Sequence, residues 1–435
     1  MVVSNEKTEE LMKRWSVRGR GYLLAWFGLL LAVGAVWLCA KGEGFFGKGQ
    51  ASSSLPEIVP AEETLTLPAA PQKETEAEPV QELKGVWVPY FSLTGEEHTQ
   101  EAFEENFREI VETAKGTDLN ALFVHVRPFC DALYPSQLYP WSHVLTGEQG
   151  EDPGFDPLKF MVDCAHDAGL QFHAWINPLR IKTPQTEFAL SADNPYTQLS
   201  DASPYYFMEQ DGGIYLNPAY PYVRTMIAQG AGEIAKNYDV DGIHFDDYFY
   251  PSEDEALDEE AYALYVQSVE TPISLIEWRQ ANINAMVQEV YQTVKQANAD
   301  VVFGISPQGN LANDERMGAD VKTWCAVPGY LDYICPQLYY SFENPALGFT
   351  EALADWLDLP RHDNLELYAG LALYKAGSDA DEGTWLSSDD ILRRQTEAAR
   401  AVGCNGVVLY ASDYLKAEQT AQEVAALIGI LSGET

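Results

Sequence analysis

Basic residues are scarce in this 435-residue sequence, where 27 Lys and Arg stand against 66 Asp and Glu, for a formal net charge of −39 at pH 7. A surface this acidic repels phosphate backbones, so we expect no nucleic-acid partner. Cysteine is also sparse, with six residues and no CxxC pair. This excludes a disulfide framework and a cysteine-based zinc site.

The first eighty residues are predicted to lie outside the folded domain. Residues 22–40 carry no charge, are long enough to cross a bilayer as a helix, and follow a basic flank of Lys13, Arg14, Arg18 and Arg20. We therefore expect a cytoplasmic segment at 1–21 and a single-pass anchor in the cell membrane, with the rest of the chain extracellular. A cleaved signal peptide, which would give a secreted protein, is the alternative. Residues 41–80 contain five Pro and seven Glu but no Tyr or Trp, which is typical of a disordered linker.

From residue 81 onward, eight short apolar runs recur, and several are apolar throughout, as in strands buried on both faces of a parallel sheet. They are Leu83–Tyr90, Asn120–Pro128, Leu170–Pro178, Val240–Tyr248, Val301–Pro307, Leu331–Tyr339, Leu367–Tyr374 and Asn405–Ser412. Segments with helical spacing separate them at Phe103–Ala114, Pro157–Ala168, Tyr222–Asn237, Asn282–Ala297 and Ile391–Val402. This α/β pattern predicts a (β/α)8 TIM barrel over residues 81–432. A doubly wound open sheet is the alternative, but the glycine-rich phosphate loop typical of that fold is missing.

Polar side chains stand where several of these apolar runs end. Because side chains alternate faces along a strand, residues two apart should share the barrel interior, as His244 and Asp246 would, or His125 and Arg127. We therefore expect a cluster at the mouth of the barrel, where aromatic faces beside carboxylates suit a sugar. The predicted substrate-binding residues are Arg127, Asp131, Trp175, Asn177, Arg180, His244, Gln337 and Tyr339.

The adjacent carboxylates of Asp246 and Asp247 are the sharpest signal in the sequence. Like-charge repulsion and burial would raise the pKa of one of them, which suits a general acid. We predict that these two residues are the catalytic pair, without dividing the roles between them. A capping role for Asp247 is the structural alternative.

Three histidines predicted to face inward, His125, His173 and His244, raise the possibility of a metal site. However, the His-x-His pair of amidohydrolase-like barrels is missing, and Arg127, two residues after His125, would oppose a cation. We predict no metal and no cofactor. A metal-dependent deacetylase or amidohydrolase remains an alternative, as does a glycan-binding barrel without catalytic activity.

Several motifs resemble the family-ten glycosyl-hydrolase-like proteins of the bacterial envelope, over nearly all of residues 83–415. They include Gly85-Val-Trp87, His173-Ala-Trp-Ile-Asn-Pro178, Asp241-Gly-Ile-His-Phe-Asp-Asp-Tyr248, Gly304-Ile-Ser-Pro-Gln-Gly-Asn310 and Asp332-Tyr-Ile-Cys-Pro-Gln-Leu-Tyr339. The resemblance implies a TIM-barrel glycoside hydrolase that acts on a cell-envelope glycan, with peptide-free peptidoglycan strands as the expected substrate. Many relatives carry an aromatic residue where this chain has Gln308, so the match leaves the specificity of one subsite open.

Such strands carry lactyl carboxylates, which this acidic chain must bind with local cations. Arg127 and Arg180 follow the second and third strands, and an arginine can bind a carboxylate through two hydrogen bonds. We expect these two side chains to contact the substrate carboxylate. Alternatively, either arginine pairs only with a carboxylate of the protein, such as Asp131.

Overall fold

The computed structural model describes residues 81–95 and 97–433. The predicted cytoplasmic segment 1–21, membrane span 22–40 and linker 41–80 lie outside this range. Among the helices that are described, none is long and apolar enough to cross a membrane; the longest, Leu275–Ala297, is amphipathic and interrupted by charges. This contradicts the predicted single-pass location in the cell membrane, and we withdraw it.

Eight parallel strands close into a barrel in which each strand pairs with the next along the chain and the last pairs with the first. This confirms the predicted TIM barrel and excludes the open sheet. The strands are β1 (Leu83–Val88), β2 (Ala121–Arg127), β3 (Gln171–Ile176), β4 (Gly242–Phe245), β5 (Val302–Ile305), β6 (Tyr333–Ile334), β7 (Glu366–Leu371) and β8 (Gly406–Tyr410).

One helix packs outside the barrel after each strand, and all five predicted helical segments are present. The helices are α1 (Gln100–Gly116), α2 (Pro157–Asp167), α3 (Pro221–Asn237), α4 (Leu275–Ala297), α5 (Val321–Ala326), α6 (Phe349–Leu357), α7 (Ile391–Ala401) and α8 (Ala421–Leu431). Additional helices lie in the loops at His143–Thr146, Pro195–Leu199, Glu259–Ser268, Leu311–Arg316 and Ala380–Gly383. The sequence analysis did not identify α5, α6 or α8.

Aromatic side chains fill the barrel interior. Phe123 stacks on His173 with ring centroids 4.4 Å apart, and Tyr333 packs beside them. Gly304 on β5 makes room for this packing, because a Cβ atom there would lie 2.1 Å from the ring of Tyr333. Packed side chains thus fill the barrel interior beneath the carboxyl ends of the strands, where TIM barrels carry their active sites.

Two long loops rise from that end of the barrel, one after β3 and the other after β4. The loop after β3 forms an antiparallel three-stranded sheet, which we call the insertion sheet, from Arg180–Lys182, Phe207–Gln210 and Gly213–Leu216. Its strands were not predicted, because each is only three or four residues long. The loop after β4 contains the helix Glu259–Ser268.

A buried ion pair fixes the loop after β4. Arg279 of α4 donates from Nη2 to Asp258 Oδ1 over 2.6 Å and to the carbonyl oxygen of Asp254 over 2.7 Å. Its guanidinium also lies over the ring of Tyr250. Both charged partners are buried, so each depends on the other for compensation.

Replacement of Arg279 by Met should lower the free energy of unfolding by about 3–5 kcal/mol, because Asp258 would remain buried without a partner. Urea unfolding followed by circular dichroism measures this loss. Arg393→Met is the matched control, since Arg393 pairs with Asp390 and Glu397 at partly exposed positions on α7. The control should lose less than about 1 kcal/mol. Equal losses in the two variants would contradict the assignment.

Candidate active site

Asp246 directly follows β4 and lies at the mouth of the barrel, where its side chain is only 4% exposed. Its Oδ2 accepts hydrogen bonds from Trp175 Nε1 and Asn177 Nδ2, each over 3.0 Å. Both donors come from the end of β3, the neighbouring strand. The structure thus brings together three of the residues that the strand pattern had grouped.

The electrostatics of this position favour the protonated form of Asp246. Burial raises the pKa of Asp246 to about 7, and the negative charge of Asp247 contributes to the rise. The positive charge of Arg180 and the hydrogen bond from Trp175 act in the opposite direction. A carboxyl group with a pKa near neutrality can hold a proton and release it at the same pH.

Asp247 turns toward the opposite side of the mouth. Its Oδ1 accepts a hydrogen bond from Gln337 Nε2 over 3.1 Å, and Gln337 also donates to the carbonyl oxygen of Ser306. Burial raises the pKa of Asp247, while the bond from Gln337 lowers it. Because the regular strand ends at Phe245, the two vicinal carboxylates can face different partners within one site.

Arg180 opens the insertion sheet and is 8% exposed. Its Nε donates to the carbonyl oxygen of Pro128 over 2.9 Å, and its guanidinium lies over the rings of Phe129 and Tyr248. Among the residues that the structure describes, this guanidinium forms no ion pair. Its charge nevertheless lowers the pKa of both Asp246 and Asp247, so it lies within electrostatic range of the pair.

Tyr339 lines the side of the mouth near Asp247. Its ring packs edge-on against Trp87, with centroids 6.5 Å apart, and lies 5.8 Å from the ring of Tyr410. Burial raises the pKa of Tyr339, and the charge of Asp247 contributes to the rise. The structure therefore places Tyr339 near Asp247, and its contact with substrate stays a prediction.

The structure does not place Arg127 beside Asp246 and Asp247. The pairing of β2 with β3 shifts register between His125 and Arg127, so the two residues do not share a face as strand alternation predicted. The guanidinium of Arg127 lies 4.4 Å from the ring centre of Tyr139, and a Cβ atom on Gly230 of α3 would lie 2.3 Å from its Nη1. Arg127 therefore packs between the barrel and its outer helices, which corrects its predicted place in the substrate site.

His244 lies deeper than predicted, in the barrel interior. Its Nε2 accepts a hydrogen bond from Trp87 Nε1 over 3.0 Å, and its Nδ1 lies 3.0 Å from the hydroxyl of Tyr333. Since an indole N–H only donates, Nε2 is the unprotonated nitrogen and Nδ1 carries the hydrogen. Burial holds the pKa of His244 well below its usual value. Both nitrogens are occupied by protein partners, which corrects the prediction that His244 contacts substrate.

Asp131 is fully buried in the loop after β2 rather than beside the pair. It accepts hydrogen bonds from the backbone N–H of Phe129 over 3.0 Å and from Gln149 Nε2 over 3.3 Å. Gln149 in turn accepts from the backbone N–H of Ser191 in the loop after β3. Asp131 therefore joins two loops, one of which carries the Phe129 ring that supports Arg180.

The sequence analysis missed two groups near the pair. Tyr248 is half exposed and directly follows Asp247, so the motif itself could have revealed it. Asp314 lies buried after β5, accepts a hydrogen bond from the backbone N–H of Gln308, and has its pKa raised by burial and by the charge of Asp247. The only signal for Asp314 was its position after a strand, which is too common to distinguish it.

Solved structures of glycosidases share this fold. The glycoside hydrolase domain of PgaB (BpsB) from Bordetella bronchiseptica superposes with a TM-score of 0.55 at 16% identity, covering 81% of this chain and 99% of that domain. The catalytic domain of a β-amylase from Paenibacillus polymyxa gives a TM-score of 0.54 at 12% identity, covering 82% and 100%. At such low identities the likeness concerns the fold alone.

Closer similarity comes from two bacterial proteins that are named as glycosyl hydrolases. YngK of Bacillus subtilis is 34% identical over 343 residues, which is 72% of this chain and 65% of YngK. DigH of Escherichia coli K12 is 33% identical over 335 residues, covering 71% of this chain and 75% of DigH. The family model of glycosyl hydrolase-like 10 matches residues 82–387. The chain therefore belongs to the glycosyl hydrolase-like 10 family and is a glycoside hydrolase.

Proposed function

We propose that this glycoside hydrolase cleaves the glycan strands of peptidoglycan, with Asp246 and Asp247 as its catalytic pair. The observation that carries the proposal is the buried Asp246 carboxyl, whose pKa is about 7 beside a second carboxylate at the mouth of the barrel. Glycoside hydrolysis needs a proton on the leaving oxygen and a second carboxylate near the sugar. The pair meets both requirements.

In this mechanism, Asp246 donates its proton to the glycosidic oxygen as the bond from that oxygen to the anomeric carbon breaks. A water molecule then adds to the anomeric carbon and passes a proton to the ionised Asp246 carboxylate, which restores the acid. Asp247, whose ionised form is favoured by the hydrogen bond from Gln337, stabilises the positive charge that develops on the sugar ring. Trp175 and Asn177 act as positioning residues, because both donate to Oδ2 of the acid, while the backbone N–H of Tyr248 donates to its Oδ1 over 3.3 Å.

Asp246→Asn should lower kcat by about 10²–10⁴-fold, since general acid catalysis is typically worth that much. Asp247→Asn should also lower kcat, because it removes the negative charge that stabilises the positive charge developing on the sugar ring. The assay measures, by mass spectrometry, the oligosaccharides released from amidase-stripped peptidoglycan. Asp413→Asn is the matched control, because Asp413 is exposed in the turn after β8 and bonds to Ser92. The control should keep most of the wild-type rate.

Three results would overturn this assignment. If Asp246→Asn kept near-full hydrolysis, Asp246 would not be the general acid. Binding of strands by the wild type without release of product would favour a non-catalytic glycan-binding barrel. Loss of wild-type activity in EDTA would favour the metal-dependent reaction.

Arg180 supports peptidoglycan as the substrate. Its guanidinium is held at the mouth by the carbonyl of Pro128 and by two aromatic rings, and no carboxylate of the described chain lies within ion-pair distance of it. A substrate carboxylate at this position would restore the missing ion pair through charge-assisted hydrogen bonds. The lactyl group of muramic acid offers such a carboxylate, whereas chitin does not.

Arg180→Met should raise the KM for stripped peptidoglycan strands by tenfold or more, since a hydrogen bond to a charged group is worth about 1.5–3 kcal/mol. The KM for chitin oligomers should change by less than about threefold, because those sugars carry no carboxylate. Arg127→Met is the control: its side chain lies outside the mouth, so it should affect both substrates alike. Equal changes in the two KM values for Arg180→Met would contradict the role.

A further inference from the structure

Four tyrosines meet in the loop after β3, and we call this cluster the tyrosine platform: Tyr205, Tyr206, Tyr220 and Tyr222. The first two lie in the turn before the second strand of the insertion sheet, and the other two lie at the start of α3. The rings of Tyr206 and Tyr222 stack with centroids 5.0 Å apart and planes 14° apart. Tyr205 packs against Tyr206 at 4.8 Å and against Tyr220 at 5.0 Å.

The platform keeps much of its aromatic surface in solvent. Tyr205 is 44% exposed and Tyr222 is 51% exposed, although large aromatic rings are usually buried in a folded core. Tyr206 and Tyr220 support them from beneath and are themselves only partly exposed. A contiguous exposed aromatic patch of this kind is a feature of binding surfaces.

The platform lies at the same end of the barrel as the Asp pair. Helix α3 begins at the end where β3 finishes, and the insertion sheet starts from Arg180 at the mouth. Arg180 pairs with Tyr215 in that sheet, and the next residue, Leu216, donates its backbone N–H to Leu179 over 2.7 Å. Asn217 then donates its backbone N–H to the carbonyl oxygen of Tyr206 over 2.8 Å. Backbone pairing therefore connects the segment that carries Arg180 directly to the segments that carry the platform.

We propose that the tyrosine platform binds the glycan strand beyond the sugars held at the Asp pair, with one pyranose ring against Tyr205 and another against Tyr222, because the planes of these two aromatic rings are steeply inclined to each other. This inference rests on the proposed hydrolysis of glycan strands. A tyrosine presents an apolar ring with a polar hydroxyl at its edge, and a pyranose likewise presents an apolar C–H face rimmed by hydroxyls. Since all four side chains of the platform are uncharged, it contacts sugar faces, whereas Arg180 contacts the carboxylate.

The test measures binding of long stripped peptidoglycan strands and of a tetrasaccharide with the same repeat, in an Asp246→Asn background that prevents turnover. Tyr205→Ala combined with Tyr222→Ala should raise the Kd for long strands about tenfold, because both exposed aromatic faces are lost. The Kd for the tetrasaccharide should stay within about twofold of the parent, because a short ligand occupies only the sugars near the pair.

Tyr205→Phe combined with Tyr222→Phe is the matched control, since it keeps both rings and removes only the hydroxyls. It should retain binding of long strands. The platform would be overturned if the alanine variant bound long strands as tightly as its Asp246→Asn parent. It would also be overturned if neither the parent nor any variant bound long strands, or if the alanine variant differed from the parent only in its oligomeric state. If the wild type hydrolyses no strand but the alanine variant still loses affinity for long strands, the proposed hydrolysis fails and the platform stands.

Discussion

The carboxyl group of Asp246 occupies a position where water cannot solvate its charge, and the rest of the site is arranged around that constraint. Burial and the neighbouring Asp247 favour the neutral acid, while the charge of Arg180 and the hydrogen bonds from Trp175 and the backbone N–H of Tyr248 limit the rise in its pKa to about 7. Without the donors the acid would hold its proton too strongly to release it, and without burial it would lose the proton too early. The balance depends on the parallel pairing of β3 with β4, which sets these groups side by side.

Rigid packing below and beside the acid maintains that geometry. The ring of His125 lies parallel to the indole of Trp175 at 3.8 Å, so the N–H that binds Asp246 has a fixed direction. Beneath them, His244 is held between Trp87 and Tyr333, which anchors the strand that carries the pair. Each of these side chains contacts the acid or a residue that supports it.

The sequence was sufficient for the barrel and for much of the site, because strand periodicity and strand ends are local properties. Alternation along regular strands correctly grouped Trp175 and Asn177 with Asp246. It was wrong for Arg127, because an irregularity in register cannot be read from the spacing of residues. Strand alternation also grouped His244 with the substrate-binding residues, because the sequence does not show which side chains of the packed interior form hydrogen bonds with a buried imidazole.

The protonation state of Asp246 near neutral pH is the central claim, and direct titration of its carboxyl carbon tests it. Carbon-13 NMR of the aspartate-labelled protein, with Asp246→Asn to assign the signal, follows the ionisation of this one group. The account predicts a midpoint near pH 7, with the acid protonated below it and ionised above it. A midpoint near pH 4, the ordinary range for an exposed aspartate, would show that Asp246 is ionised at neutral pH and cannot be the acid.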